Sequence, residues 1–301
     1  MQVSFALRGV VVPLLAPTSE NGIGVDEEAL RTHVTWLIDK GVHGLMPCGT
    51  TGEGPLLTTA ERRYVLEKVV EAAAHRVAVI AHVGVASTSE TIDLARHARD
   101  VGADAISAVT PYYFRLPEQA LVAHYCRLAE AVPDLPVFLY NIPQCTGNSL
   151  TRAAVEAIVA RCPNVVGIKD SSGDLSSLLG FVGVNGGDFR VVCGSDGLLL
   201  QALQAGACAG VSGNANVFPE VVVELFRAFW QGDMEGARRQ QSLLDVARRA
   251  MGDGADLALL KAMLEARGFA SGPVRSPLPP ATPETVARCR ATLEAAGLLP
   301  G

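Results

Sequence analysis

The chain has 301 residues, of which 49% are apolar and 19% are charged, as in ordinary soluble globular proteins. Its formal net charge of −6 provides no bulk attraction to nucleic acid or to an anionic membrane, and no stretch approaches the roughly 18 uncharged apolar residues of a membrane helix. The seven cysteines are odd in number and form no CxxC pair, which argues against a disulfide scaffold or a structural zinc site and indicates a reducing cytoplasm.

The N-terminal stretch MQVSFALRGVVVPLLAP is apolar enough to suggest a signal peptide. However, Arg8 interrupts it, Pro13 and Pro17 break it, and no small-x-small cleavage site follows. We therefore predict that it contributes a buried strand.

Eight short apolar runs recur along the chain, with helical patterns between them. Because the runs are continuously apolar rather than alternating, they indicate strands that are covered on both faces. In chain order the runs are GVVVPLLA from Gly9, GLMPCG from Gly44, VAVIAHVG from Val77, DAISAVTP from Asp104, PVFLYN from Pro136, VVGIKD from Val165, RVVCG from Arg190 and AGVSG from Ala209.

The helical patterns carry recognisable ends. Three of them end at a glycine, Gly41, Gly102 or Gly206, and each glycine is followed within a few residues by the next apolar run. Another begins at Thr58, which has capping-box spacing to Glu61. A repeated helix-to-strand step of this kind is typical of parallel α/β architecture.

Eight β/α units predict a (β/α)8 TIM barrel, which we place over residues 1–230. An open doubly wound sheet would need a glycine-rich dinucleotide turn after the first strand, and VVPLLAPTSENG supplies none. The remaining residues, 231–301, predict an appended C-terminal helical domain. The helical segments after the last run lie near Pro219–Gln231, Met234–Met251, Ala255–Arg267 and Pro283–Ala296.

In a barrel of this type, chemistry is expected at the carboxyl ends of the strands. The residues at these ends supply one amine, several phenols and several hydroxyls, but no histidine or carboxylate cluster with metal-ligand spacing. They are Thr50, Thr51, Tyr112, Tyr113, Tyr140, Asn141, Lys169, Asp170, residues 194–196 and residues 212–216.

Lys169 is the candidate nucleophile. The chain has four lysines, and the other three, Lys40, Lys68 and Lys261, fall on helical segments where we expect solvated positions. Two interpretations of Lys169 stay open at this point. It is either a structural lysine that pairs with Asp170 or reaches the surface, or a neutral amine that attacks a carbonyl to form an imine.

The imine interpretation needs a proton carrier and an anchor for the substrate. Tyr140 ends the preceding strand, where its phenol can move protons, although a core aromatic is also common there. Thr50 and Thr51 lie on the glycine-rich turn CGTTGEGP, whose hydroxyls and N–H groups suit a carboxylate, although a tight turn alone also requires glycine.

These residues lie in motifs that resemble the dihydrodipicolinate synthase / N-acetylneuraminate lyase family of pyruvate-dependent class I aldolases. The resemblance covers essentially the whole chain, and the motifs occur in the family's order with similar spacing. They are GTTGE (Gly49–Glu53), VTPYY (Val109–Tyr113), YNIPQCTG (Tyr140–Gly147), GIKDSSGD (Gly167–Asp174) and, more weakly, GSD (Gly194–Asp196) and GVSGNAN (Gly210–Asn216).

The resemblance implies a role for each matching residue. Lys169 would form the imine with the C2 carbonyl of pyruvate or a 2-keto acid, and Tyr140 would be the general acid and base. Thr50 would relay protons to Tyr113, which in this family projects into the active site of a neighbouring subunit. The carboxylate would be bound at Gly49, Thr50 and Thr51, and the carbonyl of Val211 would line the site. A homotetramer without metal or organic cofactor is implied.

Two departures concern the second substrate. The resemblance implies an arginine after Gln144 in dihydrodipicolinate synthases, which grips a carboxylate, but this chain has Cys145. It implies a glutamate after Asp196 in sialic acid lyases, which binds sugar hydroxyls, but this chain has Gly197. A smaller and less charged distal pocket is expected, formed by Cys145, Ser171, Ser172, Asp196, Asn214 and Asn216.

The leading hypothesis is a lyase that cleaves a 2-keto-3-deoxy sugar acid or a 4-hydroxy-2-oxo acid to pyruvate and an aldehyde. Alternatives within the same chemistry are 4-hydroxy-tetrahydrodipicolinate synthase, which condenses pyruvate with aspartate semialdehyde, and a sugar-acid dehydratase. A keto-acid sensor without turnover and a metal-dependent aldolase are alternatives of other classes. The complete set of Lys169, Tyr140, Thr50 and Tyr113 argues against a sensor.

Overall fold

A computed structural model describes residues 5–19, 22–254 and 256–300. The eight strands follow one another in chain order around a closed barrel, which confirms the predicted (β/α)8 fold. Each predicted apolar run contains one strand. The strands are β1 (Gly9–Pro13), β2 (Gly44–Met46), β3 (Ala78–His82), β4 (Ala105–Val109), β5 (Val137–Asn141), β6 (Val165–Asp170), β7 (Arg190–Cys193) and β8 (Ala209–Val211).

Helices connect the strands and continue after the last one. The four segments predicted at the C-terminus are all helical, although the start expected at Ala255 lies outside the described residues. The helices are α1 (Glu27–Asp39), α2 (Thr59–Ala73), α3 (Thr88–Asp100), α4 (Glu118–Ala131), α5 (Pro143–Thr146), α6 (Arg152–Val159), α7 (Leu175–Phe181), α8 (Leu199–Gln204), α9 (Pro219–Trp230), α10 (Met234–Ala250), α11 (Leu257–Ala266) and α12 (Pro283–Ala295).

Most strand residues are buried because helices cover one side and barrel side chains fill the other. Every residue of β1, β4 and β5 is buried. The chain leaves α1, α3 and α8 through Gly41, Gly102 and Gly206, with φ of +85°, +85° and +105°. This left-handed backbone turns the chain towards the next strand at little steric cost to glycine, which confirms the predicted helix-to-strand step.

The chain divides into two compact units. One, here called the first unit, comprises residues 78–211 with the short N-terminal segment before Gly9; the second unit comprises residues 9–77 and 212–301. The second unit therefore holds β1, β2 and the C-terminal helices α9 to α12 together. A separate C-terminal domain beginning at residue 231 stays a prediction. In the described part of the chain, no helix combines the length and apolarity needed to cross a membrane.

The start of α2 forms the predicted capping box. The Thr58 hydroxyl accepts the N–H of Glu61 at 3.2 Å, and the Glu61 carboxylate accepts the N–H of Thr58 at 2.9 Å. Two backbone donors that the helix leaves without a partner are thereby satisfied.

We expect Thr58→Ala to lower the free energy of unfolding by about 1 kcal/mol, because the Glu61 N–H loses its acceptor. Urea denaturation measures the change. Ser87→Ala is the matched control, since the Ser87 hydroxyl at the start of α3 bonds to Ser89 and caps no helix N–H. Equal losses in the two variants would contradict the capping assignment.

Candidate active site

Lys169 and Tyr140 lie side by side near the carboxyl ends of two neighbouring strands. The parallel register of β5 and β6 pairs them directly, and the Lys169 Nζ lies 3.9 Å from the centre of the Tyr140 ring. Both side chains are almost closed off from solvent, with 5% of Lys169 and 2% of Tyr140 exposed. The register therefore presents an amine against a phenol ring in a water-poor environment.

The next residue pair in the same register, Asn141 and Asp170, has a structural role. Successive side chains of a strand point to opposite faces, so Asp170 does not share the face of Lys169. Its carboxylate accepts from the Asn141 amide at 3.2 Å and from the Ser172 N–H and hydroxyl at 2.9 and 3.1 Å. Asn141 also accepts the Leu150 N–H at 3.0 Å. Asp170 is thus engaged with its own loop and with β5, where it fixes the local backbone.

Gly194, directly after β7, leaves room for the lysine side chain. A Cβ atom built at this position would lie 2.0 Å from the Ser171 Oγ and 3.0 Å from the Lys169 Cε. The backbone is fixed there because the Gly194 N–H donates to the Asp170 carbonyl at 2.8 Å. The Ser171 hydroxyl donates to the Gly194 carbonyl at 3.3 Å. Ser171, one of the predicted distal residues, therefore borders the space around the Lys169 side chain.

Cys145 lies on the short helix α5, which follows β5. Its side chain reaches solvent, unlike the core position expected of most cysteines here. The surrounding protein raises the pKa of the thiol, and the charge of Lys169 acts in the opposite direction. Gln144 fixes this helix to the loop after β6, because its amide donates to the Ser171 carbonyl at 2.6 Å. Cys145 is thus within the electrostatic influence of Lys169.

The segment that carries Tyr112 and Tyr113 leaves β4. Tyr112 packs against Val109 and Tyr140, whereas Tyr113 has a left-handed φ of +79° and is 88% exposed. An exposed tyrosine in this strained conformation needs support from its surroundings.

Asn148 provides that support and was missed by the sequence analysis. Its buried amide donates to the carbonyls of Pro111 and Phe114, both at 2.8 Å, and accepts the Leu116 N–H at 2.9 Å. The sequence offered one indication of this role, an asparagine directly after the motif YNIPQCTG. Its hydrogen-bond partners could not be inferred because they are more than 30 residues away in the chain.

Two further predicted residues end the later strands of the first unit. Asp196 is buried in the loop after β7, and Val211 is buried at the end of β8. Burial raises the pKa of the nearby Cys193 thiol to about 12, with a smaller contribution from the charges of Asp196 and Asp170. The binding roles of Asp196 and Val211 stay predictions.

The turn with Gly49, Thr50 and Thr51 belongs to the second unit. Thr50 is exposed and Thr51 is half-buried. The turn is closed by bonds from the Glu53 N–H to the Thr50 carbonyl at 3.1 Å and from the Gly54 N–H to the Gly49 carbonyl at 2.9 Å. Gly54 is required there because a Cβ would lie 2.0 Å from the Cys48 carbonyl oxygen.

One expectation about the second unit is wrong. Lys261 is not solvated but 2% exposed, and its Nζ lies 2.7 Å from the carboxylate of the buried Glu53. Asn214 and Asn216 are fully buried, and their places in the distal pocket stay predictions. The Asn216 amide accepts the Leu15 N–H at 3.0 Å and donates to the Pro13 carbonyl at 2.9 Å, so it is used to hold the chain after β1.

The described residues contain no group of three or more histidine, cysteine, aspartate or glutamate side chains placed to hold a metal ion. The functional groups brought together near Lys169 are instead a phenol, a hydroxyl and a thiol. This set is suited to covalent and proton-transfer chemistry on a carbonyl compound.

Comparisons with known proteins identify the family of the chain. The family model described as the dihydrodipicolinate synthetase family matches residues 6–296. The 4-hydroxy-tetrahydrodipicolinate synthase of Methanopyrus kandleri is 39% identical over 99% of both chains. An uncharacterised DapA-like lyase of Halobacterium salinarum is 42% identical over 97% of this chain and 95% of its own.

A solved structure shows the same similarity. YagE, an Escherichia coli K12 prophage protein of the dihydrodipicolinic acid synthase family, was crystallised in complex with pyruvate. It superposes with a TM-score of 0.92 at 29% identity, over 97% of this chain and 99% of its own.

We expect Gly194→Ala to reduce the rate of any reaction at Lys169 by at least about tenfold, because the new methyl group displaces Ser171 or the lysine stem. Steady-state kinetics and a thermal unfolding curve measure the effect. Gly180→Ala is the control, since a Cβ there meets open space. Full activity in folded Gly194→Ala would show that the side chain of Lys169 does not need this space.

Proposed function

Because the chain belongs to the dihydrodipicolinate synthetase family and is a carbon–carbon lyase of that family, we propose that it is a class I aldolase that binds pyruvate as an imine on Lys169. The observation that carries this proposal is the Lys169 amine, 5% exposed and held 3.9 Å from the centre of the Tyr140 ring. An aliphatic amine kept from bulk water beside a proton donor is the equipment that imine formation needs.

The proposed reaction begins with attack of the neutral Lys169 Nζ on the C2 carbonyl of pyruvate. A proton reaches the resulting oxygen, water leaves the carbinolamine, and a protonated imine remains. Loss of a proton from C3 moves its electron pair into the imine and gives an enamine. C3 of the enamine then attacks an aldehyde, whose oxygen takes up a proton. Hydrolysis of the imine releases the product, and the same steps in reverse cleave a 4-hydroxy-2-oxo acid to pyruvate and an aldehyde.

Tyr140 is proposed as the group that moves these protons. Its ring is fixed by Val109, Ile142 and Tyr112 on the side of β4 and β5. The His82 ring also contacts it edge-on, with ring centres 5.7 Å apart. A phenol that is already held in one position loses little entropy when it reaches the geometry for proton transfer. This favours its transferring protons both to the oxygen on C2 of pyruvate and to the aldehyde oxygen.

The Thr50 and Thr51 hydroxyls are proposed to bind the pyruvate carboxylate, with Gly49 leaving space for it. Thr50 is exposed and Thr51 half-buried, and both lie on a turn closed by two backbone hydrogen bonds. Thr50 is further proposed to relay protons between Tyr140 and a Tyr113 supplied by a neighbouring subunit of a homotetramer. The exposure of Tyr113 and its edge-on contact with the exposed Phe114 support an outward, partner-facing role.

We propose that the second substrate is an aldehyde that places no carboxylate near Cys145. Such an aldehyde is the second product when a 2-keto-3-deoxy sugar acid or a 4-hydroxy-2-oxo acid is cleaved to pyruvate. A thiol cannot make the paired hydrogen bonds with which a guanidinium recognises a carboxylate. Ser171 and Asp196 supply polar groups suited to hydroxyls instead. Synthesis of 4-hydroxy-tetrahydrodipicolinate from aspartate semialdehyde is the second candidate. It is favoured by the M. kandleri relative of that name, which is 39% identical.

Reduction with borohydride in the presence of pyruvate tests the imine. We expect the protein to gain the mass of one reduced pyruvate, located by peptide mass spectrometry at Lys169, and to lose activity in parallel. Lys169→Met should prevent both the labelling and pyruvate release. Lys68→Met, at a half-buried position of α2 outside the candidate site, is the control and should label fully.

A panel of 2-keto acids assayed for pyruvate release, with aspartate semialdehyde condensation beside it, tests the substrate class. Absence of labelling at Lys169 over a range of pH would refute the imine mechanism altogether. Rapid formation of cyclised product from pyruvate and aspartate semialdehyde, with slow cleavage of the sugar acids, would replace the first candidate by the second.

Cys145→Arg tests the residue on which the choice of aldehyde depends. We expect kcat/KM for aspartate semialdehyde to rise by about 10- to 100-fold, because a guanidinium supplies the missing paired hydrogen bonds to its carboxylate. Cys145→Met, of comparable bulk but uncharged, should show no such rise. An equal kcat/KM for aspartate semialdehyde in wild type and in both variants would show that the substrate carboxylate does not approach residue 145.

A further inference from the structure

A buried ion pair lies at the turn that carries the two threonines. The side chains of Glu53 and Lys261 are 0% and 2% exposed, and the Lys261 Nζ lies 2.7 Å from the Glu53 Oε1. We propose that Glu53 and Lys261 are positioning residues that hold the Thr50–Thr51 turn against residues 271–275 and thereby set the affinity for the keto-acid carboxylate. This inference rests on the function proposed above.

Glu53 connects the turn to two partners at once. Its backbone has a left-handed φ of +55°, and its N–H donates to the carbonyl of Thr50 at 3.1 Å. Its Oε2 accepts the N–H of Arg275 at 2.5 Å, while Oε1 faces Lys261. Because both carboxylate oxygens are used, the position of the side chain is fixed, and the backbone that it shares with the turn is fixed with it.

Lys261 completes the connection from helix α11. Its ammonium donates to the carbonyl of Pro273 at 2.9 Å in addition to meeting Glu53. We call residues 271–275 the C-terminal strap. The ion pair thus contacts the strap at two points, the Pro273 carbonyl and the Arg275 N–H.

The strap is itself fixed to other parts of the second unit, both loops and helix α2. Thr18 donates from its N–H to the Ser271 carbonyl at 3.0 Å and from its hydroxyl to the Pro273 carbonyl at 2.5 Å. The Arg275 guanidinium lies 2.9 Å from the Glu61 carboxylate and donates to the Gly24 carbonyl at 3.0 Å. The strap therefore provides a fixed reference, so weakening the ion pair displaces the turn rather than the strap.

The free-energy cost of burying the Glu53–Lys261 ion pair supports a positioning role. Bringing a carboxylate and an ammonium into the interior removes their hydration, and apolar side chains of similar volume are often at least as stabilising. Burial lowers the pKa of Lys261, while the hydrogen bond and charge of Glu53 oppose this. Two apolar side chains could not make the hydrogen bonds to the Pro273 carbonyl and the Arg275 N–H.

Deuterium exchange into the methyl group of pyruvate, followed by NMR, reports imine and enamine formation without the second substrate. For Lys261→Met we expect the half-saturating pyruvate concentration to rise by at least about tenfold, and the rate at saturation to fall as well because Thr50, the proposed proton relay, moves with the turn. Lys68→Met is the matched control, because it removes a half-buried lysine whose Nζ lies 3.0 Å from the carboxylate of Glu27, outside the candidate site. Its half-saturation should equal that of wild type.

Two further variants test the same inference if Lys261→Met does not fold. Glu53→Gln with Lys261→Met leaves no unpaired charge in the interior and should show the same rise in half-saturation. Gly272→Ala leaves both charges intact but moves the strap, since a Cβ there lies 2.1 Å from the Thr18 carbonyl oxygen at a φ of +64°. It should also weaken pyruvate binding.

A lower melting temperature with unchanged half-saturation in these variants would overturn the inference and leave the pair a purely structural one. Failure of the proposed function is a distinct result. In that case wild type itself neither exchanges the pyruvate methyl protons nor traps pyruvate on borohydride reduction.

Discussion

The register between β5 and β6 is the constraint on which the rest of the candidate site depends. It pairs Tyr140 with Lys169 on one rung and Asn141 with Asp170 on the next. Because side chains alternate between the faces of a strand, a slip by one residue would exchange the amine for a carboxylate. The bonds from Asn141 and Ser172 to Asp170 therefore also secure the placement of the lysine.

Much of the fold follows from local sequence. Eight apolar runs, the glycines after the helices and the Thr58–Glu61 spacing each depend on residues close together in the chain, and the structure agrees with all of them. The position of Lys169 followed in the same way, because a strand end is a local feature. Its proximity to Tyr140 required only that consecutive strands be neighbours and parallel.

The sequence was less informative where distant residues meet. Lys261 looked like a solvated helix residue because its partner Glu53 is more than 200 positions away. Asn216 looked like a pocket residue, although its amide is bonded to the backbone after β1. Single-residue chemistry suggests what a side chain can do, but its actual use depends on which remote polar groups the fold places beside it.

The hydrogen bonds of Asn148 have a consequence for how specificity changes in such an enzyme. They join the segment of Tyr113 to the chain that follows α5, and the Arg115 guanidinium adds a bond to the Gly147 carbonyl at 2.5 Å. The outward-facing tyrosine and the helix of Cys145 thus belong to one mechanically continuous loop system. A mutation that reshapes the helix of Cys145 is therefore expected to shift the exposed segment around Tyr113 as well.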